Sequence, residues 1–257
     1  MTVEELVREQ KGPVTVLRLN RPEARNALTP VLIRAIGAAM MEAESDESTL
    51  VVVVTGTGDR AFCAGMDLRS FADGQDMGID NEWGRAYSRL LRGEMAMPVI
   101  GAANGSALAG GLELLLGCDL IVLSEGAQLG LPEVKRGLIP GGGGTFLGTR
   151  IPVGIALEMA LTGQSIDAAR AKELGLANAV VPHDSVLPTA LAYAEQIAAN
   201  GPLGVRAVKE LVRLAVVDAP VAWQRLEEWL PTVFGSEDAR EGALAFVEKR
   251  PPSWLGR

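Results

Sequence analysis

Glu113 and Glu133 are the residues of this sequence best placed to do chemistry. Each is an isolated acid in an apolar, glycine-containing stretch that runs from Asn104 to Glu133. A buried carboxylate is costly unless it is paired or protonated, so two of them in this setting ask for a use. Carboxyls in a half-dry pocket can be tuned toward neutral pH and can then pass protons. Gly110-Gly111 comes just before the first acid and opens a short helix. The first N–H groups of a helix have no internal partner and can face an anion, and glycine lets a ligand come close. Gly110 and Glu113 share a face of that helix. An oxyanion donor then sits beside a proton-transfer group. Taken locally, the pattern fits a solvated glutamate on a helix whose glycines serve tight packing at least as well, and both readings stand at this point.

The elements that must hold these residues read as strands alternating with helices. Residues 14–19 form a strand, followed by a turn at Asn20-Arg21-Pro22. Thr29 N-caps a helix with Pro30 at its first position, running to about Ala43. Residues 50–55 are almost wholly apolar, as in a sheet covered on both faces. Gly56 to Ala61 then fits the G-x-G-x-x-A dinucleotide fingerprint, although no amphipathic helix opens directly on it. Residues 71–81 form a polar, acidic loop suited to a lid or a specificity segment. A helix over 82–92, a strand over 98–103, the helix of Glu113 and a strand over 120–123 follow. The flexible loop 137–145 leads into helices around 146–161. Asp167 caps a helix to Leu174, and 177–181 is a short strand. Beyond Asp184 the pattern is helical throughout, about 185–199, 203–217, 221–230 and 237–248. An α/β core with a helical C-terminal appendage results.

Composition narrows the function. The 257 residues make one large domain, or one domain plus an appendage. A 48% hydrophobic share fills a core, and at 4% aromatic residues that core is aliphatic. A net charge of −8 argues against a nucleic-acid or anionic-membrane surface, so an anionic substrate needs local basic residues. No apolar run reaches the ~18 residues of a membrane span. The N-terminal MTVEELVREQKG is too charged for a signal peptide. Cys63 and Cys118 suit a reducing cytosol, which makes the expected location cytoplasmic. His183 is the sole histidine, so metal sites built on several His, or on clustered Cys and His, are excluded.

Several segments, taken in order, resemble the crotonase superfamily, the enoyl-CoA hydratase/isomerase family. LNRPEARNAL, residues 19–28, resembles the stretch that lines the CoA site. AFCAGMDL, residues 61–68, resembles the first oxyanion motif, and NGSALAGGLEL, residues 104–114, the second. Cys118-Asp119, Leu131-Pro132-Glu133, the glycine-rich 137–145 and the tail REGALAFVEKRPP follow at family spacing. The resemblance covers nearly the whole chain and implies an α/β fold, a crotonase-like spiral of strand–strand–helix repeats over 1–195. A helical C-terminal region, 196–257, would serve oligomer contacts and the CoA site, in a homotrimer or dimer of trimers.

By the same resemblance the backbone N–H groups of Met66 and Gly110 would hold the thioester oxygen. Glu113 would hold and activate water, and Glu133 would exchange the proton at the α carbon. Ala24, Arg25, Ala27, Ala64, Gly65, Asp67, Leu68, Gly111 and Pro132 would line the substrate site. Phe246 and Lys249 match positions that approach the CoA nucleotide, often from a neighbouring subunit. The implied activity is that of an enoyl-CoA hydratase, a reversible syn addition of water to a 2-enoyl-CoA. It calls for no metal and no cofactor, coenzyme A being part of the acyl-CoA substrate. No nucleic-acid or membrane partner is implied.

Rival readings are an enoyl-CoA isomerase, which can work with one acid, and an acyl-CoA binding protein without turnover. A hydrolase using Ser106 with His183 lacks the G-x-S-x-G setting. Paired-glutamate glycoside hydrolysis is opposed by the poverty of aromatics. The chain also departs from the family. The common Arg-Leu-Pro-Arg is here Phe146 to Arg150, without its first Arg, and Ser106 is smaller than is frequent. Residues 70–83 have no recognisable pattern and are expected to set acyl preference. Lys249 also reads as a cation at a helix C-terminus, Arg25 and Arg69 as solvated, and Phe246 as core or subunit contact.

Overall fold

The computed structural model describes residues 4–74 and 80–257. In chain order the elements are β1 (Leu6–Lys11), β2 (Val14–Leu19), α1 (Pro30–Ser45), β3 (Val51–Gly56), β4 (Ala61–Cys63), α2 (Leu68–Ala72) and α3 (Glu82–Arg92). Then come β5 (Val99–Ala103), β6 (Ser106–Leu108), α4 (Gly110–Gly117), β7 (Leu120–Ser124), β8 (Gln128–Gly130), α5 (Val153–Thr162), β9 (Ser165–Asp167), α6 (Ala168–Glu173) and β10 (Ala179–Val181). Helices α7 (Val186–Ala198), α8 (Pro202–Val217), α9 (Ala219–Phe234) and α10 (Glu237–Glu248) complete the chain.

The path is a spiral. Strands β3, β5 and β7 are parallel neighbours in a six-stranded sheet ordered β1-β2-β3-β5-β7-β10. Each is followed by a short strand, β4, β6 or β8, and these are parallel neighbours in a four-stranded sheet ordered β4-β6-β8-β9. Strand–strand–helix thus repeats, and each repeat brings one loop to the same end of the second sheet.

Side-chain alternation explains why β3 is apolar throughout. Val52 and Val54 enter the core shared with α1 and α4, while Val51 and Val53 pack with Val186, Ala190 and Ala194 of α7. Both faces are covered, as the continuous apolar run requires. Thr29 caps α1 by accepting from the Leu32 N–H, and its hydroxyl donates to Glu5 at 2.5 Å.

Two features were not legible. β1, a charged strand paired antiparallel to β2, was passed over because its side chains are polar. The second sheet was missed because strands of three residues are too short to show a period. Gly56 to Ala61 is no dinucleotide loop; it is the turn from β3 to β4. The loop expected over 71–81 begins as the end of α2 and partly lies outside the described residues. Among the described residues no helix is long and apolar enough to cross a membrane.

Candidate active site

The end of the second sheet where β4 and β6 finish is built around two amides. Gly65 has φ +90°, a conformation side chains resist, and a Cβ there would stand 2.6 Å from Ala109 Cβ and 3.1 Å from Gly110 N. A Cβ on Gly110 would in turn be 3.7 Å from Met66 N. The N–H groups of Met66 and Gly110 are therefore neighbours. Leu28 N donates to Gly65 O and Asp67 N to Leu28 O, which leaves the Met66 N–H between them unused. Gly110 opens α4, so its N–H has no helical partner. Neither N–H donates to an acceptor among the described residues. Ala109 supplies the turn at φ 50° and ψ −127°, a strained setting for a residue with a side chain.

Glu113 is 6% exposed on the first turn of α4. Its Oε1 accepts from Gly142 N at 2.6 Å and Gly144 N at 2.9 Å. These two charge-assisted bonds fix the carboxylate and satisfy one oxygen. The loop that donates them must come very close: a Cβ on Gly142 would lie 2.9 Å from Glu113 Oε2. Gly142 and Gly144 were singled out only as flexibility, and the run GGGG was the signal that a side chain approaches the backbone there.

Glu133 stands in the first turn of a 3-10 turn, Pro132–Arg136. Its Oε2 is buried and has no hydrogen-bond partner. Burial pushes its carboxyl above the ordinary range, and the Glu113 charge pushes the same way, against its own backbone N–H and Arg136. The two acids thus belong to one electrostatic unit, although they lie on different turns of the spiral. Such an orphaned oxygen calls for a reason, and of the two among the described residues, Thr57 Oγ1 and Glu133 Oε2, only the second is a titratable group.

The remaining site residues sort by what they touch. Arg25 and Asn26 both sit at φ 54°, and Arg25 O accepts from Ala64 N, tying 22–28 to the segment 61–68. Ala24, Ala27 and Ala64 are partly exposed beside that join, Leu68 is exposed on α2, and Pro132 opens the turn of Glu133. Gly111 packs against the Cys63 carbonyl. Asp67 is already engaged: it pairs with Arg21 at 3.3 Å and accepts from Arg69 N and Ser70 N. Two buried asparagines missed in the sequence clasp the β3–β4 turn. Asn26 donates to Thr57 O and Ala61 O, and Asn104 accepts from Gly56 N and donates to Gly58 O.

Phe246 and Lys249 are not gathered with these residues in their own chain. Both are exposed on α10 or its C-cap, and Phe246, 86% exposed, is not core. Ser106 and His183 make no bond to one another. Ser106 Oγ accepts from Gln128 N, and His183 Nδ1 contacts Asn104 O at 2.8 Å. That removes the hydrolase pair. Among the described residues no group of three or more His, Cys, Asp or Glu could hold a metal ion.

Adjacent free amides near a buried and a half-buried acid, set in a strand–strand–helix spiral, offer oxyanion stabilisation beside proton transfer. The profile of the enoyl-CoA hydratase/isomerase family matches residues 9–257, and the chain belongs to that family. Among its relatives is a carnitinyl-CoA dehydratase of Proteus mirabilis, 38% identical over 253 residues that cover 96% of this chain and 97% of the relative. The fold matches a crystal structure of an enoyl-CoA hydratase from Mycobacterium tuberculosis with a TM-score of 0.91 and 41% identity, covering 99% of this chain and all of that one. A carnitinyl-CoA hydratase structure from Mycobacterium avium is 42% identical over the full length of both chains, with a TM-score of 0.79.

Proposed function

We propose that this protein is a hydro-lyase of acyl-CoA thioesters that adds water reversibly to a 2-enoyl-CoA. The observation that carries this reading is the unequal state of the two acids: Glu113 is fixed by two amides, while Glu133 holds a buried, unpartnered oxygen and a raised pKa. That inequality suits two roles. Glu113 orients water through its second oxygen and takes its proton as the oxygen bonds to C3. The thioester becomes enolate-like, and its oxygen takes hydrogen bonds from Met66 N–H and Gly110 N–H. Glu133, whose surroundings hold its carboxyl above the ordinary range, gives its proton to C2 from the protonated form, and exchange with solvent then resets both acids. Addition to one face gives the syn outcome. Each oxyanion donor is worth about 3 kcal/mol in such a step. None of these steps calls on a metal or a bound cofactor.

Assembly and location follow from the same reading. The C-terminal part, 196–257, displays Val208, Val212, Trp223 and Phe234 to the surface, as subunit contacts in a homotrimer or dimer of trimers would require. Phe246 and Lys249, exposed in their own chain, would then serve a neighbour's CoA. The location is cytoplasmic. A hydration assay over 2-enoyl-CoA thioesters of graded length, with carnitinyl-CoA and 3-enoyl-CoA isomers alongside, tests the assignment. Hydration of the 2-enoyl series is expected; turnover of the 3-enoyl isomers alone would replace the hydratase with an isomerase.

A further inference from the structure

One polar side chain beside the acids has no place in the steps above. Tyr87 lies on α3, is 5% exposed, and packs in the core with Cys63, Leu90, Leu112 and Leu115. Its hydroxyl makes no hydrogen bond among the described residues. The ring is buried while the hydroxyl oxygen is not among the enclosed, unpartnered atoms, so the phenol tip is left for a partner from outside the core; a core position needing only the ring would take phenylalanine.

The direction of that hydroxyl follows from how α3 meets α4. Each helix leads into one of two adjacent parallel strands, β5 and β7, so the two helices run the same way. They touch so closely that a Cβ on Gly117 would stand 2.1 Å from Leu90 O and 2.9 Å from Leu91 Cα. One turn back from this contact lie Tyr87 on α3 and Glu113 on α4. Leu91 shares the face of Tyr87, and its Cδ1 would be 2.7 Å from a Cβ on Gly142, the residue whose N–H fixes Glu113. Long helical side chains lean toward the N-terminus, which carries the phenol from Leu91's neighbourhood toward the front of Glu113. Tyr87 is close enough to Glu113 and Cys63 for both to raise its pKa, behind the larger effect of burial, so the phenol stays a neutral donor. Among the described residues it makes no hydrogen bond to Glu113 itself.

We infer that Tyr87 is a third polar group of the site, whose hydroxyl donates to the C3 oxygen of a 3-hydroxyacyl thioester opposite Glu113. The inference rests on the hydratase reading and deepens it. In hydration the new C3 hydroxyl gains a second partner as it forms; in dehydration the departing oxygen is held by a donor that never changes its own protonation. Acyl-CoA substrates are thereby sorted by an oxygen at C3, beyond anything chain length decides.

Tyr87→Phe removes the hydroxyl and keeps the ring. Binding is compared in a Glu133→Gln background, where bound 3-hydroxyacyl-CoA is not dehydrated. Calorimetric Kd values for 3-hydroxybutyryl-CoA and for butyryl-CoA are measured with and without Tyr87→Phe. The expected result is about tenfold weaker 3-hydroxybutyryl-CoA, the size of one neutral hydrogen bond, with butyryl-CoA unchanged. An equal change for both thioesters, or no change for either, overturns the inference while leaving the hydratase reading intact. If the Glu133→Gln protein binds neither thioester, the hydratase reading itself falls and takes this one with it.

Discussion

The two ends of α4 treat their polar groups in opposite ways. At the C-terminal end every free carbonyl finds a cation. Arg150 donates to Leu116 O at 2.8 Å and Cys118 O at 3.4 Å, and Arg213 to Gly117 O at 2.9 Å. Asp119 closes the cluster, pairing with Arg213 at 2.7 Å and Lys209 at 2.9 Å and accepting from Val99 N. Cations at a helix C-terminus are favourable, and here they also fasten α8 to the core. At the N-terminal end, two amides, the second oxygen of Glu113, Glu133 Oε2 and the Tyr87 phenol have no hydrogen-bond partner among the described residues. A helix of eight residues that is so well bonded at one end is not loosely made at the other. The paired end anchors the helix, and the open end leaves donors and acids free of protein partners among the described residues. Unsatisfied groups therefore locate function only when set against satisfied ones nearby.

The comparison is broken most severely by removing the acids at the open end. Glu113→Gln and Glu133→Gln are each expected to lower turnover about a thousandfold with acyl-CoA binding retained; near-normal hydration of crotonyl-CoA by either would refute the assigned roles. Next comes the amide pair. Gly65→Ala forces a Cβ onto φ +90° and against Ala109, displacing Met66 N–H from Gly110 N–H. A fall in kcat of about 100-fold is expected, and an unchanged kcat with an intact fold would mean that these amides do not hold the thioester oxygen.

The paired end should respond in stability instead. Asp119→Ala leaves Lys209 and Arg213 without their counter-ion, and burial already pulls the Lys209 ammonium below its usual range with Asp119 opposing. A loss of about 3 kcal/mol, roughly 10 °C in Tm, is expected by thermal melting, with turnover per folded molecule affected far less than by Glu113→Gln. A variant as stable as the parent but catalytically dead would reverse the division between the two ends.

The smallest effect is a gain. Glu133 has a raised pKa in the fold, so the native state keeps its proton to higher pH than the unfolded chain does. Stability then falls as pH rises from the ordinary carboxylate range through the raised native value, and the penalty is full above it. Glu133→Gln should be the more stable protein near neutral pH, by about 1 kcal/mol or less because the residue is only half-buried. The advantage should vanish in acid. Tm measured against pH tests the sign, and a variant less stable at neutral pH would show that the charge is stabilised rather than strained.

Long elements with one clear cue were legible. The helix over 82–92 appears at the expected residues, capped by Asn81 and ended by Gly93, and α10 fills the expected 237–248, capped by Ser236. The strands β4, β6 and β8 carry no such cue, yet they are what bring the loops of Met66 and Gly110 together. Asn26 and Asn104 carry no local sign that the same turn lies between them. Gly142 and Gly144 looked like flexibility because the carboxylate they hold enters from another turn of the spiral.

The sequence alone determined the chemistry on offer: two acids without local partners, a glycine pair opening a helix, an aliphatic core, and an ordered set of motifs that named the family. Those are properties of residue type and spacing, which act over a few positions. Only the tertiary structure decided which acid is held and which is left bare, that the amides of Met66 and Gly110 adjoin, and that Tyr87 stands near Glu113. Burial, field and unmet hydrogen bonds depend on groups brought together from distant turns of the chain, and no local pattern carries that information.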